Sequence, residues 1–284
     1  MKKIVLAFAV VSTLPGFAQK AFNKLTFTKG QQLEVVTNIN LSAESMMGPT
    51  TGTITIADLY SVNNATAQTT TLLKVPKQVK MNFNFGSQEI KLDSDNPKDL
   101  SSPFSQPVKE IMSQKPEFTI DASGKILSVK KNDTKTKAEG DGAGMMGMML
   151  PGMDFASAVP QPGAPSFFQV LPNREVGIGD TWTDSLQAEG TKNVTVYKVK
   201  DISDKEIVLD FSGAGTTVTA REAMGMNVNV NAANRSTGSI VLDKATGIIK
   251  QKTTTNTTET TMNMGGREIT STIKTTMVTN VKPS

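Results

Sequence analysis

Hydrophobic and polar positions alternate most clearly near the C-terminal end of this chain. Ile269, Ser271, Ile273, Thr275, Met277, Thr279 and Val281 fall on one face, and Thr270, Thr272, Lys274, Thr276, Val278 and Asn280 on the other. A period of two is that of a strand, whose side chains point alternately to opposite faces of a sheet. Thr258, Thr260, Met262 and Met264 repeat the alternation upstream, and Gly265-Gly266 between the runs has the two-residue length that a tight hairpin favours. The pattern predicts a long antiparallel hairpin from about Lys250 to Lys282.

Shorter runs read the same way. Val194, Val196, Val199 and Ile202 mark one strand; Ile207, Leu209 and Phe211 mark the next, closed by Gly213 and Gly215. Ile54 and Ile56 lie in a strand near Thr51 to Val62, and Val79, Met81, Phe83 and Phe85 alternate up to Gly86. Helix is scarce. Ser101-Ser102-Pro103 is a start signal, after which Phe104, Val108, Ile111 and Met112 recur at helical spacing as far as Pro116. Pro107 would interrupt that run, so a short or broken helix is expected near 103–113. A second short helix is expected over Ser166 to Leu171. The fold class is therefore all-β, mainly antiparallel, with one or two short helices.

Two segments share one plan. Phe118 to Val129 reads as strand, Asp121-x-x-Gly124 turn and strand, and Ile240 to Gln251 repeats it around Asp243 and Gly247. Aspartate caps such turns through its side chain and glycine supplies the positive φ. Strands that begin after Gly30 and after Gly179 precede the two hairpins. This predicts two related β halves forming curved sheets or an incomplete barrel, residues 19–131 and residues 166–284. Between them, 132–165 is rich in Met, Gly and Pro and reads as a flexible loop, since so long a structureless stretch is uncommon inside a compact domain.

Composition then narrows the chemistry. The 284 residues include no histidine and no cysteine. Ser-His-Asp and cysteine nucleophiles are excluded, disulfides are absent, and zinc would lose its preferred N and S ligands. Asp180 and Asp184 flank Trp182, the one acidic and aromatic grouping; Trp182 reads as a core residue and Asp180 as a turn residue. Asp93, Asp95, Asn96 and Asp99 lack the glycine and final glutamate of a calcium loop and read as a polar lead into the helix. No catalytic residue, no metal site and no cofactor is expected, and the chain is read as not an enzyme. A formal net charge of +4 leaves no nucleic-acid footprint.

Lys2 and Lys3, the apolar run from Ile4 to Leu14, and Gly16-Phe17-Ala18 form the three parts of a secretory signal. Residues 1–18 are expected to be cleaved after Ala18, and the protein to be exported, periplasmic or extracellular. That apolar run is too short to span a bilayer, and no later stretch approaches the length a membrane helix needs. One Trp and two Tyr are too few for the girdles of a membrane barrel.

Lys29-Gly30-Gln31, Met46-Met47-Gly48, the segment Leu92 to Pro97, the turn Ile120 to Lys125 and the run Val176 to Trp182 occur in an order that resembles an exported Bacteroidota family, a domain of unknown function. The resemblance covers most of the mature chain and implies no established activity or ligand. At the level of architecture, a β-rich repeat with a helix before a hairpin is similar to the lipid-carrier half-barrels of the periplasm, which hold acyl chains between a bent sheet and a helix.

The candidate ligand-binding residues are methionines, of which the chain has fifteen. Met224, Met226, Met262 and Met264 pair along strands, and Met145, Met146, Met148 and Met149 cluster in the loop. Thioether side chains adapt to irregular apolar partners; they also ligate Cu(I). The function expected is non-catalytic binding of an apolar or amphipathic ligand, such as lipid, on a concave sheet face. The alternative is a structural or interaction protein of the cell envelope with a protein partner and no small ligand. Cu(I) binding through the methionines is a third reading.

Overall fold

A computed structural model describes residues 20–22, 24–45, 48–86, 88–130, 160–188, 190–223, 226–264 and 267–284. The expected signal, Met145, Met146, Met148, Met149 and Met224 lie outside these residues. The chain runs through β1 (Lys20–Ala21), β2 (Gln32–Ser45), β3 (Gly48–Ala65), β4 (Thr69–Phe85) and β5 (Gln88–Asp93). Two helices, α1 (Pro97–Leu100) and α2 (Gln106–Ser113), lead to β6 (Glu117–Asp121) and β7 (Ile126–Lys130). Beyond residue 160 come β8 (Val176–Gly177), β9 (Thr181–Ala188), β10 (Thr191–Ile202), β11 (Glu206–Ala223), β12 (Met226–Asp243), β13 (Ile249–Met264) and β14 (Arg267–Pro283).

Twelve strands make one antiparallel sheet, in the order β7-β6-β4-β3-β2-β14-β13-β12-β11-β10-β9, with β5 on β4; β1 pairs with β8. The protein is mostly antiparallel β, and its sheet is open and curved, not a closed barrel. The expected hairpin is β13–β14, paired from Gln251 opposite Asn280 to Met264 opposite Arg267. Its inward row is the one the alternation selects: Ser271, Ile273, Thr279 and Val281 are buried.

The sheet consists of two five-strand meanders, β2-β3-β4-β6-β7 and β9-β10-β11-β12-β13, with β14 laid between β2 and β13. Their hydrogen bonds correspond. Gly30 N–H donates to Val62 O and Val62 N–H to Gln31 O; Gly179 N–H donates to Val199 O and Val199 N–H to Asp180 O, all at 2.9 Å. Both valines sit at β-bulges. In the next turn Thr66 Oγ1 accepts from the amides of Gln68 and Thr69, as Ser203 Oγ does from Lys205 and Glu206. In the last turn Asp121 Oδ1 accepts from Ser123 N–H at 2.8 Å and Asp243 Oδ1 from Thr246 N–H at 2.9 Å. Gly124 and Gly247 follow with φ of 94° and 70°.

These two Asp turns lie five strands apart in the sheet, yet one segment bonds both. Leu25 N–H donates to Ala122 O and Thr26 N–H to Thr246 O, each at 2.9 Å. The sheet must therefore curl at this end, its base. Residues 163–166 add a further layer: Gly163 and Ala164 exchange hydrogen bonds with Ile126, and Ser166 N–H donates to Gly124 O. The enclosed space is filled by one apolar core drawn from both meanders, including Leu25, Phe27, Leu72, Ile120, Phe168, Leu209, Ile240 and Leu242. A second core lies where α2 presses Val108 and Ile111 onto Leu41, Ile54, Val79, Met81 and Phe83, with Ile273 of β14.

Two expectations are corrected. Residues 166–171 form a turn, with Gln169 N–H on Ser166 O, and no helix; Phe168, Val170 and Leu171 all enter the basal core, which a solvent-facing helix could not allow. The short helix expected near 103–113 is present as α2, which begins at Gln106, so Pro107 occupies its first turn, where proline is tolerated; α1, capped by Asn96 through Lys98 N–H, precedes it. The strand from Glu206 does not stop at Gly213 or Gly215 but runs on to Ala223. A Cβ on Gly213 would sit 2.6 Å from Ser236 Oγ; these glycines admit side chains of neighbouring strands and do not turn the chain. In β10, Val196 and Val199 stand three residues apart in continuous register and face opposite sides, Val196 exposed and Val199 buried; the bulge after Val199 returns Ile202 to the buried face.

Candidate functional site

Above the base the inner face changes character from one side to the other. The row Leu209, Ile240, Lys252, Thr279, Thr37, Ile56, Val79 crosses from β11 to β4. One step toward the rim lies Trp182, Tyr197, Phe211, Gly238, Thr254, Met277, Ile39, Ile54, Met81. The next is Asp184, Thr195, Gly213, Ser236, Asn256, Thr275, Leu41, Gly52, Phe83. On β2–β4 these rows are mainly aliphatic and aromatic and run under α2; on β10–β13 they start apolar or aromatic at Leu209, Ile240, Tyr197 and Phe211 and turn, toward the rim, to the hydroxyls, amides and glycines of Thr195, Gly213, Ser236, Gly238, Thr254 and Asn256. The inner surface is thus a trough with one apolar and one polar side.

The polar side has a depression of about 310 Å³ lined by Asn193, Thr195, Gly213, Asn234, Ser236 and Asn256, together with Val194 and Ala214. A second, of about 300 Å³, includes Lys192, Thr216, Arg235, Thr257 and Glu259, residues of the opposite face. Neither is a deep apolar cavity.

At the foot of the polar side three rings form a shelf. Trp182 stacks on Tyr197 with centroids 5.2 Å apart and planes 13° apart, and Tyr197 lies 6.1 Å from Phe211. Burial, and secondarily the charge of Asp184, pushes the Tyr197 hydroxyl up to about 12. Asp184 is itself raised by burial. Lys252 reaches over Phe211, its ammonium 5.4 Å from the ring centroid, and burial holds its pKa below the ordinary lysine value. Across the trough Asp58 and Lys74 pair at 3.1 Å, both largely buried; burial outweighs the lysine and raises Asp58. Among the described residues Trp182 Nε1, Asp58 Oδ1, Thr260 Oγ1 and Ser271 Oγ are buried without hydrogen-bond partners.

Of the eight candidate methionines only the side chain of Met262 is described: it is half-buried, opposite Val230 and Ile269. Met226 opens β12 opposite Ala223, and Met264 ends β13 opposite Val228. The features missed in the sequence are Lys252, the ring shelf and the amide and hydroxyl wall. A signal for Lys252 existed: it is in phase with the inward positions Thr258, Thr260 and Met262. The acidic group before α1 is engaged locally. Asp99 accepts from Asp93 N–H at 2.9 Å, Asp93 from Asp95 N–H at 3.0 Å, and Lys80 pairs with Asp93 at 3.2 Å. Among the described residues no three acidic side chains converge as a metal site, and no helix is long and apolar enough to cross a membrane.

Fold and site define an open antiparallel β protein with an amphipathic inner face. Residues 153–249, about a third of the chain, match a family described as a family of unknown function (DUF6263). No curated protein matches the chain. Among solved structures it is similar to lipovitellin, in a study of lipid–protein interactions, with 11% identity over 90% of this chain and a TM-score of 0.47. The chain spans 25% of that lipovitellin chain. It is also similar to OpdK of Pseudomonas aeruginosa with vanillate, at 6% identity, covering 88% of this chain and 99% of that one with a TM-score of 0.23. A Pseudomonas putida F1 outer membrane channel gives 10% identity, coverage of 94% and 99%, and a TM-score of 0.22. At these TM-scores the likenesses are weak.

Proposed function

We propose that this is an exported, non-catalytic protein that binds an amphipathic ligand, a lipid or lipid-like molecule, along the trough. The observation that carries the reading is the division of the inner face. Ile39, Ile56 and Met277, each only partly buried, offer a strip for an apolar chain, and the adjoining hydroxyls and amides of Thr254, Asn256, Ser236 and Asn234 offer partners for a polar group. A ligand with both chemistries buries apolar area on one side and keeps its polar atoms bonded on the other. The lack of histidine and cysteine supports a role through contacts instead of bond-making. Native mass spectrometry of protein purified from its own host tests the reading: a retained amphiphile, lost on solvent extraction, is expected, and the bare chain mass in repeated preparations would refute it.

The second reading, an interaction protein of the envelope, is favoured by one feature. The outer edge of β9 ends the sheet, and its eight residues carry no lysine or proline, the usual guards of an open edge. Under that reading a partner strand adds to β9 and no small molecule is retained.

A further inference from the structure

Lys252 is drawn into the inner face without a counter-ion. Ile240 and Thr279 stand opposite it on the two neighbouring strands, and Phe211 lies under its ammonium. Among the described residues no carboxylate lies within ion-pair distance of it. The inward carboxylates are elsewhere: Asp58 is taken by Lys74 at 3.1 Å, and Asp184 stands on β9 beyond the ring shelf. A charge withdrawn from water costs free energy unless it is paired, and a ring face compensates only part of that cost. Beside Lys252, Thr279 Oγ1 and Thr37 Oγ1 bond each other at 3.0 Å. Either can be the donor, so one hydroxyl hydrogen of the pair is left for another acceptor. An ammonium and a hydroxyl donor side by side suit an anionic oxygen group. Immediately beyond them the surface turns apolar at Met277, Ile39 and Ile56.

We propose that Lys252 anchors the acidic head group of an anionic amphiphile, a carboxylate or phosphate ester, whose chain lies over Met277, Ile39 and Ile56. This rests on the amphiphile reading above and specifies its ligand. Phe211 holds the lysine stem in place and Thr279 with Thr37 supplies the second donor.

The test uses the mature full-length chain and two fluorescent probes, cis-parinaric acid and its methyl ester, at neutral pH. The wild type should bind the acid about tenfold more tightly than the ester, a difference of roughly 1.4 kcal/mol. In Lys252→Met that ratio should fall to near one with ester binding unchanged, and Lys252→Arg should retain it. A wild-type ratio of one overturns the anchor even if the variants do not fold, as does a Lys252→Met protein that keeps the preference. Binding of neither probe by the wild type refutes the amphiphile reading itself. Sodium acetate or inorganic phosphate should compete only weakly; full displacement of parinarate by either at millimolar concentration would make this a free-anion site and overturn the proposal.

Discussion

Phe168 is the residue on which closure of the base depends most. It is 1% exposed and meets three rings edge-on: Phe27 at 5.3 Å, Tyr60 at 5.4 Å and Phe167 at 5.1 Å. Phe27 comes from the segment that bonds both Asp turns, and Tyr60 from β3, so this ring joins the late chain to the early meander. Phe168→Ala removes a large side chain from a place where the backbone is held on both sides, since Ser166 bonds Gly124 and the Asp turns fix Leu25 and Thr26. The walls therefore cannot collapse into the gap, and the loss should be about 4 kcal/mol, the middle of the range for Phe→Ala in a core. For a chain of this size that corresponds to a fall in Tm of roughly 8–16 °C. Urea unfolding followed by circular dichroism, with the denaturant slope unchanged, measures it. Phe22→Ala, at a phenylalanine 57% exposed, is the control and should cost under ~0.5 kcal/mol. A loss below ~1 kcal/mol for Phe168→Ala would refute the basal plug and the curl that depends on it.

Three further outcomes follow from the same geometry. The only two tyrosines, Tyr60 and Tyr197, are both raised by burial, the second to about 12; an ultraviolet titration of folded protein should show no tyrosinate at pH 10, and half-ionisation there would contradict the packing. Burial works to raise Asp121, but bonds from Ser123, Lys125 and Gly124 outweigh it and hold the carboxyl below its ordinary 3.8. Its contribution to stability is therefore present above that pH and lost as pH falls through the depressed folded value, so Asp121→Asn should destabilise at pH 7 and converge with wild type in acid. Urea midpoints read this, and a gap independent of pH would count against it. Gly238→Ala would place a methyl 2.7 Å from the Phe211 ring and against Thr253 O; it should cost about 1–3 kcal/mol in thermal unfolding, and a neutral result would mean that the ring does not lie on this glycine.

What the sequence made legible was local. The alternation from Ile269 to Val281 fixed the inner face of β14 because a strand that is buried on one side has no freedom of phase. The Asp-x-x-Gly turns were legible because their side-chain hydrogen bonds need those residue types at those positions. Gly213 and Gly215 misled for the opposite reason. A glycine that admits Ser236 or Asn193 from the next strand looks, in one sequence, like a glycine that turns the chain. The segment 166–171 read as a short helix, but the burial of Phe168 is decided by contacts with Phe27 and Tyr60, more than a hundred residues away. The trough was hidden likewise: Trp182, Tyr197, Phe211 and Lys252 come from four strands, and only the register brings them together.

The position of a bound acyl chain tests the account most directly. Trp182 is the only tryptophan in the chain and stands on the ring shelf at the foot of the polar side. It lies five strands from Met277, too far to report on the proposed chain, so a Trp182→Phe, Ile39→Trp variant places the single tryptophan beside Met277 instead; its fluorescence should be quenched by a fatty acid brominated along its chain, and much less by the unbrominated acid bound to the same extent. Binding of the brominated acid with the emission of the tryptophan at position 39 untouched would put the chain off the apolar side of the trough and contradict the proposed function.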